Sequence, residues 1–298
     1  MAKSLILDAL NITKFLDLRE RGEGCRVAII DTGAAEDLPV RDAVNLTDES
    51  MLDVIGHGAV IQHIISTILP DADFYVVKVP DPLPDQILIS ALNEAMKWRP
   101  HVINLSFTSE FPSDGTDPPS VYVDYVSRNT VVCVAAGNGG PRFMSVGSPA
   151  VAREALTVGA TDCEGRLWTR SSRGPTLDGR WKPNIVAPTK FMVPTVGEEV
   201  LVGTSFSTPI ASALAAILMR ELGDSYIVRR VIELTATSIP IIFTGRMGIK
   251  GVARRGLVEK IFKAWPRLMD SRNLTGMGLL NAADAFKVAK RLKLIAPG

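Results

Sequence analysis

The sequence predicts an α/β protein built on a mainly parallel sheet with helices on both faces. Three observations carry that prediction. Short, nearly continuous Val/Ile-rich runs recur along the chain, without the polar alternation of a half-exposed strand. Strands of that kind are buried on both faces, as in parallel sheets. Segments with helical patterning separate the runs, and strand–helix alternation is the signature of α/β architecture. Finally, a chain of 298 residues with 46% hydrophobic and 22% charged residues can bury a sizeable core.

The elements follow in order. RVAIID at 26–31 reads as the first buried strand, and HGAVIQHIISTIL at 57–69 as a helix leading to FYVVKV at 74–79. DQILISALNEAMKW at 85–98 is helical and precedes the strand VINLSF at 102–107. FPSDGTDPPS at 111–120 is a turn-rich loop, and SVYVDYVSR at 120–128 is a helix before the strand TVVCVAA at 130–136. ALTVGA at 155–160 is a further strand. After GTSFSTP at 203–209 comes the small-apolar run ASALAAILM, read as a helix with Thr208 as N-cap and Pro209 at its first position. The stretch 240–275 breaks the pattern with eight Lys/Arg against Glu259 and Asp270. Within it, LVEKIFKAWPRLM at 257–269 puts Leu257, Ile261, Trp265 and Leu268 on one helical face. Such a helix can meet a membrane surface or an acidic partner; docking its apolar face on the domain is the favoured reading.

A net charge of +1 gives no reason to expect nucleic acid as a partner. Cys25, Cys133 and Cys163 are odd in number and widely spread, which argues against a disulfide framework or a zinc site and fits a reducing compartment. The N-terminus lacks the uninterrupted apolar core of a signal peptide, and no run reaches the roughly 18 apolar residues of a spanning helix. The chain is therefore expected to be cytoplasmic.

In open α/β sheets chemistry gathers beyond the carboxyl ends of the strands. Asp31 ends the first strand in AIIDTGA, where a carboxylate can orient an imidazole or simply make a turn. DTG is also met in aspartic proteases, but these need a second such motif and none is present. His57 lies between two glycines at a helix start, accessible as a general base, whereas His63 and His101 read as structural. In GTSFSTP four hydroxyls compete. Ser205, just after a glycine turn, is placed for nucleophilic attack with its own N–H facing an oxyanion. Asn138, in AAGNGG, can donate to the same oxyanion or make only a turn.

DTG, GHG, AAGN and GTSFSTP, in this order and at these separations, resemble the motifs of subtilisin-like serine proteases, probed further by HVINLSF, TRSSRGP with KPNIVAP, and GMGLLNAADAF. The resemblance spans about 22–239 and 275–288, and it implies a three-layer α/β/α fold, with residues 1–298 forming one catalytic domain and the basic stretch at about 240–275 inserted in it. It implies Ser205 as nucleophile, His57 as general base and acid, and Asp31 as its orienting group. Asn138 and the Ser205 N–H would form the oxyanion hole. Leu105, Ser106 and Phe107 would pair with the substrate backbone, with Thr108 beside the specificity pocket and Ala135, Ala136 and Gly137 lining it.

The departures sharpen this. The two histidines usual in the family are replaced by Val60 and Ile210, which are expected to lie near one another between two packed helices. Thr108 stands where glycine is usual and should narrow the cleft against large aromatic side chains. STILPDADFYVVKV runs straight from helix to strand, so no calcium site is expected at 66–74, and neither metal nor cofactor elsewhere. Some thirty residues precede Asp31, too few for a folding-assistant pro-domain, which suits an intracellular-type member or a mature domain. The expected activity is hydrolysis of peptide bonds in protein or peptide substrates through an acyl-enzyme. The alternatives are a peptidyl transferase or macrocyclase on the same triad, and a catalytically silent binding protein.

Overall fold

The computed structural model describes residues 21–162, 164–189, 200–239 and 270–295. Seven parallel strands form one sheet in the order β2-β3-β1-β4-β5-β6-β7. They are β1 (Arg26–Asp31), β2 (Asp42–Asn45), β3 (Asp73–Lys78), β4 (Val102–Leu105), β5 (Val131–Ala135), β6 (Leu156–Thr161) and β7 (Ile185–Pro188). The helices are α1 (His57–Ile68), α2 (Asp85–Lys97), α3 (Pro118–Val126), α4 (Thr204–Leu222), α5 (Ser225–Thr235), the short α6 (Arg272–Thr275) and α7 (Ala282–Ile295).

Strand periodicity sorts the apolar side chains into two cores. Val27 and Ile29 of β1 face one side, with Ile61, Ile64, Ile65 and Ile68 of α1 and the inner faces of α4, α5 and α7. Ala28 and Ile30 face the other, with Leu88, Ala91, Leu92 and Ala95 of α2 and Val123 and Val126 of α3. The result is the expected three-layer α/β/α arrangement. The four isoleucines of α1 are spaced as one helical stripe, and burying each contributes about 1.5–3 kcal/mol. Helix α4 crosses the middle of its layer and is buried almost throughout from Thr204 to Met219.

The predicted strands appear within a residue or two of their expected limits, while β2 and β7 were not anticipated. Both are four-residue strands at the sheet edges, too short to show a period, and β7 ends in Pro188, as edge strands tolerate. The start of α4 corrects the sequence reading. The helix begins at Thr204, not after Thr208, so Ser205 lies in its first turn and Pro209 inside it. Helix α1 runs unbroken to Ile68, and β3 begins at Asp73. The amphipathic segment predicted at 257–269 and Cys163 lie outside the described residues, as do residues 240–269 of the basic stretch as a whole. Among the described residues no helix is long and apolar enough to cross a membrane.

Sheet order reverses at β1, which pairs with β3 on one side and β4 on the other. Ligands bind beyond the carboxyl ends of strands at such a switch point. Asp31 is the last residue of β1 and therefore stands on that rim.

Candidate active site

Asp31 and His57 meet there. The Asp31 side chain is 2% exposed and that of His57 30%, so a buried carboxylate backs an imidazole that solutes can reach. His57 Nδ1 donates to Asp31 Oδ1 at 2.7 Å. A carboxylate acceptor fixes the Nδ1–H tautomer and leaves Nε2 as the basic nitrogen. Thr32 N–H also donates to Asp31 Oδ1 at 2.8 Å. Asp31 Oδ2 is buried and has no hydrogen-bond partner among the described residues.

Two local features hold His57 at the first position of α1. Gly58 has no room for a side chain, since a β-carbon would lie 2.6 Å from Gly33 O and 3.1 Å from Asp31 Cβ. That contact brings the helix start against Asp31. Asp53 caps the same end, accepting from Gly56 N–H at 2.9 Å and Ala59 N–H at 2.8 Å. Burial pulls the His57 pKa down, but the hydrogen bond and charge of Asp31, with the charges of Asp53 and Asp81, outweigh it and raise the value above the usual 6.5. The other histidines are structural, as expected. His63 is buried and pairs with Asp37. His101 Nδ1 accepts from Arg26 N–H, and burial, with Arg26 and Arg220, pushes it down to about 4.

The four hydroxyls of GTSFSTP have different partners. Thr204 Oγ1 donates to Asn138 Oδ1 at 3.1 Å and accepts from Gly137 N–H at 3.0 Å. Ser207 donates to Pro188 O and Thr208 to Thr204 O, both from buried positions. Ser205 Oγ alone of the four has no hydrogen-bond partner among the described residues, and its residue is half-buried. No direct bond joins it to His57 in this structure. The neighbouring Phe206 ring centroid lies 5.9 Å from that of His57, which brings the start of α4 beside the imidazole.

Asn138 is oriented by the same threonine. Its Oδ1 accepts from Thr204 N–H at 3.1 Å, and a backbone donor settles which end of the carboxamide is oxygen. The Nδ2 protons have no acceptor among the described residues, so this exposed side chain can donate to a ligand at the helix start.

Pro209 explains a third link. A helical residue there would donate to the carbonyl four positions back, Ser205 O, but proline has no N–H. Ser106 Oγ supplies the missing donor at 2.9 Å. Asn104 Nδ2 in turn donates to Ser106 Oγ at 2.9 Å, and Ser212 Oγ to Asn104 Oδ1 at 2.8 Å. Asn104, Ser106 and Ser212 are all buried, so this relay ties the end of β4 to the backbone of Ser205.

Of the residues expected to line the cleft, Leu105, Ala135 and Ala136 bury their side chains and can offer a ligand only backbone. Ser106 turns its hydroxyl inward, while Phe107 packs on the core beneath. Thr108 and Gly137 face each other. A β-carbon on Gly137 would lie 2.8 Å from the Thr108 methyl carbon, and Thr108 Oγ1 donates to Ser148 O at 3.0 Å. Thr108 therefore stands fixed against the wall at Gly137. Val60 packs on the large core cluster to which the fully buried Ile210 belongs, and α1 and α4 pack on one another. Sequence reasoning missed Asn104, Thr204 and Ser212; a lone Asn inside the apolar run VINL was the available signal for the relay.

Residues 22–255 match the sequence profile of the family described as the subtilase family. Pyrolysin of Pyrococcus furiosus is 33% identical over 222 residues, covering 60% of this chain and 16% of that protein. Subtilisin BL of Lederbergia lenta is 30% identical over 240 residues, 73% of this chain and 85% of its own length. Among solved structures, the prenylagaramide maturation protease PagA superposes with a TM-score of 0.70 at 25% identity, covering 93% of this chain and 97% of that one. The chain thus spans about a sixth of pyrolysin but most of subtilisin BL and PagA.

Proposed function

This chain belongs to the subtilase family of serine proteases, and we propose that it is an endopeptidase in which Ser205, His57, Asp31 and Asn138 carry the chemistry. Ser205 Oγ attacks the scissile carbonyl as His57 Nε2 takes its proton. Asp31, buried behind His57, holds the Nδ1–H tautomer and stabilises the imidazolium that forms. The tetrahedral oxyanion accepts from Asn138 Nδ2 and from the Ser205 N–H at the start of α4, where the helix dipole also favours negative charge. The imidazolium then protonates the leaving amine, and water hydrolyses the acyl-enzyme with His57 again as base. Residues 1–298 act as one catalytic domain carrying the basic stretch at about 240–275.

The observation that carries this reading is the convergence at one rim of a buried Asp31–His57 pair and a helix start where, among the described residues, only the Ser205 hydroxyl is unpartnered. The length match to PagA, described as a maturation protease, favours a peptide precursor as substrate over a folded protein. Thr108 against Gly137 favours a small or narrow side chain in the residue before the cut.

The test is product analysis by mass spectrometry after incubation with unstructured peptides, using the parent and Ser205→Ala. Linear fragments made by the parent and not by the variant are expected. Cyclic or aminolysed products would assign the acyl-enzyme to transfer, and intact peptide with both proteins would leave only a binding role.

A further inference from the structure

The cleft has a second rim, on the β3 side of His57, and its chemistry is distinct. Val79 N–H donates to Asp31 O at 2.9 Å, so the chain leaving β3 runs beside the catalytic carboxylate. The following stretch is Pro80-Asp81-Pro82-Leu83-Pro84. Its three prolines have no N–H to offer a bound strand, and they restrict the backbone on both sides of Asp81. What this rim presents is a carboxylate. Asp81 is exposed and has no ion-pair or hydrogen-bond partner among the described residues.

Among the described residues, neighbouring charges do not neutralise it. The nearby cation of β3, Lys78, is buried and committed elsewhere, with Nζ donating to Ser50 O at 2.8 Å and Leu52 O at 3.0 Å and paired with Glu49. The other nearby carboxylate whose charge acts on His57, Asp53, spends its oxygens on the N–H groups of Ile55, Gly56 and Ala59. Asp81 is close enough to His57 for its charge to help raise the imidazole pKa. A cation held near it would meet an uncompensated negative charge.

The sheet order says which substrate residue reaches it. The pocket walls at Thr108 and Gly137 follow β4 and β5, whereas Asp31, which His57 touches, ends β1 and Asp81 follows β3. In an extended peptide successive side chains point to opposite sides. If the residue before the cut fills the β4–β5 pocket, the one before it projects toward His57 and the β3 rim.

Resting on the endopeptidase reading above, we propose that Asp81 selects a basic side chain, arginine above lysine, at the second residue before the scissile bond. A guanidinium can bridge a carboxylate with two parallel hydrogen bonds, which an ammonium cannot. The neutral shape-mimic citrulline keeps the size and loses the charge.

The experiment measures binding with Ser205→Ala, which cannot turn a peptide over, against two peptides that differ only by arginine or citrulline at that position. Roughly three- to tenfold tighter binding of the arginine peptide is expected, in the range of a partly exposed ion pair. The preference should shrink to within about twofold in Ser205→Ala/Asp81→Asn and weaken with added salt. Equal affinities for the two peptides, or a preference that survives Asp81→Asn, would overturn the proposal. Fluorophosphonate labelling of the parent, read separately, reports on the catalytic reading, so the two can fail independently.

Discussion

Replacing Ser106 with alanine removes one hydroxyl and leaves two groups short of a partner. Ser205 O loses the donor that stands in for the missing Pro209 N–H, and Asn104 Nδ2 loses its acceptor. Asn104 is fully buried and Ser106 is 1% exposed, so water does not readily replace either bond. An unsatisfied buried polar group costs about 1–3 kcal/mol, so the two groups together put Ser106→Ala at roughly 2–6 kcal/mol of stability. The first turn of α4 also carries Ser205, so acylation should slow by about tenfold, equivalent to ~1.4 kcal/mol. The companion change is Pro209→Ala, which restores an N–H four residues after Ser205. In the Ser106→Ala background it should recover about half the lost stability, because it repairs the carbonyl and not Asn104. Urea unfolding of the four proteins of this cycle, with the rate of fluorophosphonate acylation, makes the measurement. A strictly additive cycle, or a Ser106→Ala protein as stable as the parent, would refute the relay.

Three further outcomes follow from the site and its surroundings. Asn138→Ala should lower kcat about 10²–10³-fold with KM nearly unchanged, the pattern of a donor used in the transition state, and is read by steady-state kinetics. Thr108→Gly should shift preference at the residue before the cut toward large aromatic side chains, measured on a peptide series varied only there; an unchanged profile would place the specificity wall elsewhere. Lys182 is fully buried with its Nζ held by Ala155 O, Thr157 Oγ1 and Asn184 Oδ1, and burial, with Arg180 next, pushes its pKa from 10.5 down to about 7. The unfolded chain then holds a proton that the folded one has released between those values. Stability contributed through Lys182 should rise with pH across that window by up to ~1.4 kcal/mol per unit, and Lys182→Met should remove that part of the slope in denaturant titrations.

Much of the fold was legible because parallel strands buried on both faces must be apolar at every position. RVAIID and TVVCVAA could hardly be anything else in a chain with helices between them. Asp31 and His57 were legible for a related reason: a charged or basic side chain at the end of such a strand, or between glycines at a helix start, needs explaining. The start of α4 was not legible. Thr208-Pro209 carries the local signature of a helix beginning, yet the helix extends five residues further back to Gly203, its N-cap. What permits a proline there is a hydroxyl from Ser106, about a hundred residues away in sequence. No local propensity contains that information. The edge strands β2 and β7 escaped for want of length, and α5 was not predicted either, although it carries an apolar stripe at Val228, Val231 and Ile232.

The central claim is that Ser205 is a nucleophile activated by the Asp31–His57 pair. Its most direct test maps a fluorophosphonate adduct by peptide mass spectrometry across pH in the parent, Ser205→Ala and His57→Ala. A single adduct on Ser205 is predicted, absent from the first variant and strongly slowed in the second. Because His57 must be neutral to act as base, the labelling rate should rise with pH through a midpoint above 6.5. An adduct on another residue, or none on folded parent protein, would contradict the account.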